Sequence, residues 1–234
     1  MEEDNKKEEI INEEIREKSE NIGKKQNVQI KWAVILMLTA ILIILAVPYI
    51  KQNYFDRFKY NGLVFQKTKL GELTFYSANF PVVDIQGRSI GSYAMNFRND
   101  PRNLEYIDIN LSKENIEFSS YGNKYGPVYI SLNPLMEKCN ETIIAMATLS
   151  GFLKDSDLDV YAAVTDKAYA KDNNQTQKWC TPFETVIVIT DGNETSIEEI
   201  TSGCYKLTFK NCEVLPVTEK FMLDILKSYT ARFE

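Results

Sequence analysis

The sequence predicts an α+β protein: one transmembrane helix followed by an extracytoplasmic domain with antiparallel N-terminal strands and a C-terminal α/β layer holding a β-α-β unit. Three observations point there. Nineteen consecutive residues without a charge, Trp32 to Ile50, lie between Lys31 and Lys51. Residues 52 to about 111 alternate apolar and polar side chains around turn glycines, the period-two pattern of half-buried strands. From residue 127 strand-like runs alternate with longer helix-like ones. The chain accordingly divides into a charged tail (1–31), the apolar span (32–50) and an exterior domain (51–234).

The tail, "MEEDNKKEEIINEEIREKSENIGKKQN", has Ile10, Ile11, Ile15 and Ile22 as its sizeable apolar residues. That seam is too short for a coiled coil, which needs three or more heptads. The expectation is a solvated, partly helical segment that breaks at Gly23, with docking of a cytoplasmic partner as the functional alternative.

The run "WAVILMLTAILIILAVPYI" would cover roughly 28 Å as a helix rising about 1.5 Å per residue, which matches a bilayer core. Trp32 and Tyr49 stand at its two ends, where amphipathic rings prefer the headgroup level. A cleaved secretory signal would carry a short basic leader and a small-residue cleavage site. Here the leader is long and glutamate-rich, so a retained, single-pass signal anchor is expected. Arg16, Lys18, Lys24, Lys25 and Lys31 precede the span and Lys51, Arg57 and Lys59 follow it, a bias that places the N-terminus in the cytoplasm. Cys139, Cys180, Cys204 and Cys212 all follow the span, as an oxidising exterior would favour. The N-x-[ST] tripeptides at Asn110, Asn140, Asn174 and Asn193 lie on that same side.

In the exterior domain, "LVFQKTKLGELTFYSANF" predicts two strands around Gly71, and "VVDIQGRSIGSYAMNF" two more around Gln86-Gly87. Asp100 and Pro101 in "RNDPRN" predict a capped single turn of helix, flanked by Arg98 and Arg102. Ile107, Ile109 and Leu111 continue the strand pattern. Then "PVYISLNP" predicts a strand, Cys139 to Lys154 a helix, and "LDVYAAVT" a second strand parallel to the first. Ile143, Met146, Ala147 and Ser150, with Ile144, Leu149, Phe152 and Leu153, give that helix a broad apolar face. After an Asn- and Gln-rich loop (166–177) come strand "TVIVIT", a turn at 191–193, a return strand near 197–201 and strand "YKLTF". A final helix from about Glu219, capped by Thr218, carries Met222, Ile225, Leu226, Tyr229 and Phe233 on one stripe.

The strand reading also constrains the cysteines. If Tyr205 to Phe209 is extended, Cys204 and Cys212 stand up to about 26 Å apart, whereas a disulfide requires Cα atoms within about 7 Å. Cys139 and Cys212 both follow strands, while Cys180 and Cys204 both precede them. Parallel strands would then bring Cys139 to Cys212 at one end of the sheet and Cys180 to Cys204 at the other. A redox pair or a zinc site would need closer paired spacings.

Several chemistries are disfavoured. The chain has no histidine, which removes Ser-His and Cys-His nucleophile pairs and His-bearing zinc sites. A net charge of -6 argues against nucleic-acid binding. Asp155, Asp157 and Asp159 begin like a calcium loop, but Val160 and Asp166 stand where Gly and Glu are required. Ser131, Asn133, Thr165, Asp166 and Lys167 should gather at strand ends, so a Ser-Lys type hydrolase is the enzymatic alternative. No glycine-rich loop accompanies them to cradle phosphate.

"RNDPR" at 98–102 and "CYKLTFKNCEVLPVTEKF" at 204–221, behind a single anchor, resemble a group of uncharacterised archaeal single-pass membrane proteins. The resemblance implies a cell-envelope location and no particular activity. The expectation is therefore a non-enzymatic envelope domain without cofactor, metal or catalytic residues. Its partners would be the lipid bilayer and another envelope protein or a surface polymer. A signalling protein with a docking tail is a further alternative.

Overall fold

The structure is a computed structural model and describes residues 31–51, 56–83, 88–113, 115–122, 124–181 and 183–230. The expectations for the tail, for the Gln86-Gly87 turn and for Phe233 lie outside those residues. The chain divides between Phe55 and Asp56 into two compact units.

In the first unit, helix α1 (Lys31–Ile50) has a mean hydropathy of 2.8, long and apolar enough to cross a membrane. Its large side chains are exposed along the whole length, Leu36 and Ile44 at 70% each. The hydroxyl of Thr39 donates to the Leu36 carbonyl at 2.9 Å, so this polar group is satisfied inside the helix.

The second unit begins with a four-stranded antiparallel sheet in the order β1 (Arg57–Tyr60), β2 (Leu63–Leu70), β3 (Leu73–Val83), β4 (Ser89–Phe97). The first strand went unanticipated, although "YNGL" carries its signal. Asn61 and Gly62 both hold positive φ, 46° and 77°, as the tight two-residue turn between β1 and β2 demands. Phe65, Ala78, Phe80, Met95 and Phe97 are buried on the inner face. Asp100 caps a 3-10 turn (Pro101–Leu104) by accepting the Arg102 amide.

The larger sheet has six strands in the order β5-β11-β12-β10-β8-β9. They are β5 (Asp108–Asn110), β8 (Val128–Leu132), β9 (Val160–Val164), β10 (Thr185–Asp191), β11 (Ser196–Thr201) and β12 (Cys204–Phe209). A small hairpin, β6 (Ser120–Tyr121) with β7 (Lys124–Tyr125), lies between β5 and β8 in sequence. Strands β8 and β9 are parallel, joined through α2 (Thr142–Asp155), so the expected β-α-β unit is present. Both β8 and β12 flank β10 in parallel.

Four expectations need correction. Strand β5 does not extend the antiparallel group; it pairs in parallel with β11 at the edge of the larger sheet. The expected return strand is present as β11, running opposite to β10. It runs antiparallel to β12, which lies between the two. The loop 166–177 contains helix α3 (Lys167–Asp172), capped by the Asp166 carboxylate, which accepts the Tyr169 amide at 2.7 Å. The last helix, α4 (Val214–Thr230), starts five residues early because Pro216 lies in its first turn, where a missing N–H costs nothing. Thr218 is therefore no cap. It is buried inside the helix, its hydroxyl bonded to the Val214 and Leu215 carbonyls. Finally, the apolar face of α2 is narrower than expected: Ala145, Leu149, Phe152 and Leu153 are buried, while Ile143 is 81% exposed.

The core joins both sheets. Val128, Ile130, Ile187, Ile189, Ile197, Leu207 and Phe209 belong to the same cluster as α2, α4 and the inner face of the four-stranded sheet. Helix α4 is buried on nearly every side because α2, strands β11 and β12 and the 3-10 turn after β4 all pack on it. Phe221 meets the Tyr205 ring of β12 at 5.4 Å, and Glu219 bonds the chain just after β4. Phe80 of β3 meets Phe152 of α2 edge-on at 5.7 Å.

Candidate functional site

Strand alternation decides what the larger sheet shows on its other face. Val128 and Ile130 point to the helices, so Tyr129 and Ser131 point away. The register aligns Tyr129 with Tyr161 of β9 and with Val186 of β10, which in turn lies beside Cys204. The two tyrosine rings are 5.5 Å apart and tilted by 30°. Val186, Val188 and Cys204 form a small second core with Tyr129 and Cys180 packed on it.

A strap made of residues 176–181 crosses this face. It starts against β9, where Val164 donates to the Thr176 carbonyl at 2.9 Å and Lys178 donates to the Val164 carbonyl at 3.0 Å. The buried Ser131 hydroxyl donates to the Lys178 carbonyl at 2.7 Å. Cys180 then meets Cys204 at disulfide geometry, Cα to Cα 5.4 Å. Three hydrogen bonds and one covalent staple thus hold the strap. It places the Lys178 ammonium 4.2 Å from the centre of the Tyr129 ring, within cation-π range. The Glu184 carboxylate accepts from the same ammonium at 2.5 Å and raises its pKa above the ordinary lysine value. Tyr161 and Trp179 remain 51% and 46% exposed beside this arrangement.

The strand-end residues do not assemble into a hydrolytic constellation. Ser131 is wholly buried and bonded to a main-chain carbonyl. Asn133 donates to Thr190 at 3.1 Å and accepts the Leu135 amide, a turn-forming role. The Thr165 carbonyl accepts from Gln177. Asp166 caps α3, and Lys167 is exposed on the first turn of that helix. Among the described residues no hydrogen bond or ion pair joins Ser131 to Asp166 or Lys167.

Cys139 and Cys212 form the second pair, with Cα atoms 5.4 Å apart. The Glu137 carboxylate lies beside them, all three groups within 4.8 Å. The two sulfurs are bonded to each other, and only thiolates ligate a metal. Asp157 turns the chain from α2 to β9 with φ 62°. Arg98 and Arg102 are both engaged. The guanidinium of Arg98 lies over the Phe75 ring, while Arg102 pairs with Asp100 at 2.6 Å and covers the Phe58 ring at 4.0 Å.

The sequence reading missed a polar stripe on α4. Glu219, fully buried, accepts the amides of Arg98 and Asn99 and the Asn99 side chain. Burial pushes its pKa up to about 7 against those three donors. Lys220, 7% exposed at its side chain, lies 3.6 Å from Asp224 and 3.7 Å from Glu105. Tyr60 donates to Glu105, which lowers the Glu105 pKa, while burial raises that of Asp224. The signal was present, since Glu219, Lys220 and Asp224 interrupt a helix otherwise apolar enough to be buried all round.

Comparison with protein families, curated proteins and solved structures finds no match for this chain.

Proposed function

We propose that the protein is a membrane-anchored extracytoplasmic binding domain, non-enzymatic, that engages another envelope protein or a surface polymer. In this reading α1 crosses the membrane once, the tail lies in the cytoplasm and the domain from residue 51 lies outside. The exposed apolar helix supports the anchor, and two cysteine pairs at disulfide distance, all after it, support an oxidising exterior.

The observation that carries the binding role is the Tyr129–Tyr161 pair with Lys178 above it and Trp179 adjoining. Exposed tyrosine and tryptophan held on a rigid sheet lose little conformational freedom on binding, which is why such residues dominate interface energetics. A strap fixed to the sheet at Ser131, Val164 and Cys204 supplies that rigidity. The burial of Ser131 supports a binding rather than a hydrolytic role.

The test is binding of the full-length, detergent-solubilised chain to two fractions of the envelope, its solubilised proteins and its isolated polymer. Tyr161→Ala and Trp179→Ala should each weaken retention on one of the two by tenfold or more, a cost of at least about 1.4 kcal/mol. Equal retention of parent and both variants on both fractions would refute the aromatic face as the binding surface.

A further inference from the structure

We infer that the tip of the β2–β3 hairpin is a second membrane contact, resting two leucines in the headgroup layer of the bilayer that α1 enters. The inference rests on the reading of α1 as a membrane span. Leu70 and Leu73 form the last pair of the ladder and share one face of the ribbon. They are 71% and 46% exposed, so neither is used by the core. Between them Gly71, at φ 62°, and Glu72 make the two-residue turn. Lys67 and Lys69 stand on the strand leading to the tip, and Arg57 and Lys59 are exposed on the neighbouring β1. Glu72 and Asp56 are the acidic residues beside this basic group, and Glu72 at the turn favours a shallow contact over deep insertion.

The register gives the tip its direction. Arg57 pairs with Gln66, and the Lys67 amide donates to the Asp56 carbonyl at 2.6 Å. Strand β2 then runs four residues past the partner of Arg57 to reach Leu70, an overhang of about 13 Å at 3.3 Å per residue. The overhang lies on the side where the chain enters the domain. Six peptide steps separate Ile50 from Asp56, a reach of at most about 20 Å. By chain length alone, a ribbon overhanging by about 13 Å spans most of that gap. The headgroup layer, some 5–8 Å thick on each side of the hydrocarbon, covers the remainder. Lysines and arginines around the leucines suit an anionic lipid surface.

The test uses the full chain reconstituted into vesicles of phosphatidylcholine and phosphatidylglycerol, with or without brominated acyl chains that quench tryptophan at short range. A Trp179→Phe background leaves Trp32, at the end of α1, as the native reporter of the anchor. Leu73→Trp, and separately Leu70→Trp, add one emitter each at an exposed site where the core is not disturbed. The expected result is that the added emission is blue-shifted and loses most of its intensity in brominated vesicles. If Trp32 is quenched while both added emitters shine equally in the two lipids, the tip contact is overturned and the anchor stands. If Trp32 itself escapes quenching, the anchor reading fails and the tip contact falls with it.

Discussion

The carboxylate of Glu219 accepts the main-chain amide of Arg98 at 2.6 Å across 121 residues of sequence. Its other oxygen accepts the Asn99 amide at 3.0 Å, so one side chain of the last helix holds the turn that follows β4. Burial makes this clamp sensitive to protons, since the pKa rises to about 7 in the folded state. Below the ordinary glutamate range both folded and unfolded chains hold the proton. Between about 4.5 and 7 only the folded chain does, so stability falls as pH rises through that window and is level above it. Glu219→Gln should flatten this part of the profile in thermal melts between pH 4.5 and 7.5. Asp224, also raised by burial, will leave a residual slope of the same sign. Asp100 and Glu105, both lowered, act in the opposite sense and below that window. A variant whose profile tracks the parent would show that Glu219 is not the titrating group.

Lys220 is expected to behave as a buried partner rather than a surface charge. Replacing it by Met leaves the Asp224 carboxylate buried without its cation, which should cost about 3–5 kcal/mol in denaturant melts. The double replacement Lys220→Met with Asp224→Leu should recover much of that loss, because both charges are then gone. No recovery would mean that the lysine contributes through packing of its stem.

The two cysteine pairs predict the products of non-reducing peptide mapping: Cys139 linked to Cys212, and Cys180 to Cys204. They also predict an order of importance. The pairs close loops of 73 and 24 residues, and loop-closure entropy makes the longer one worth about 1 kcal/mol more. Cys139→Ala with Cys212→Ala should therefore lower the melting temperature further than Cys180→Ala with Cys204→Ala. The reverse order would point to the strap, not the longer loop, as the more stabilising closure.

Helix α2 offers a pair of contrasting substitutions. Leu149→Ala removes a fully buried side chain and should cost about 2–5 kcal/mol. Ile143→Ser, at an 81% exposed position, should change stability by no more than about 0.5 kcal/mol. Equal effects at the two positions would mean that the outer face of α2 is covered in the native protein.

Much of the fold was legible because its signals are local. Alternation in residues 63–97 marks strands β2 to β4, and the uncharged span marks α1. The cysteines could be paired from chain order once β8, β10 and β12 were taken as parallel, because each member then falls at a known end of a strand. What was not legible depends on partners distant in sequence. Three residues of β5 look alike whether they join the first sheet or the second; only the parallel pairing of Ile109 with Ile197 assigns them. The exchange of β11 and β12 leaves no mark on either strand. The first turn of α4 holds Pro216, which fits a loop as well as a helix start, and the apolar content of α2 hid which side faces the core. The candidate site was half visible: "VYISL" and "VYAAV" place a tyrosine second in each of two adjacent strands, but the strap over them follows from contacts at Ser131 and Cys204.

Strand β12 sits between two strands made before it, and both of its flanking cysteines are the late members of their pairs. During synthesis Cys139 and Cys180 therefore emerge before either partner, since Cys204 and Cys212 lie later in the chain. Until β12 is made, the bond open to them is the non-native one between Cys139 and Cys180, which lie at opposite ends of the adjacent strands β8 and β10. In an oxidising compartment, correct pairing therefore requires either that these thiols stay reduced until Cys212 is made or that they exchange afterwards.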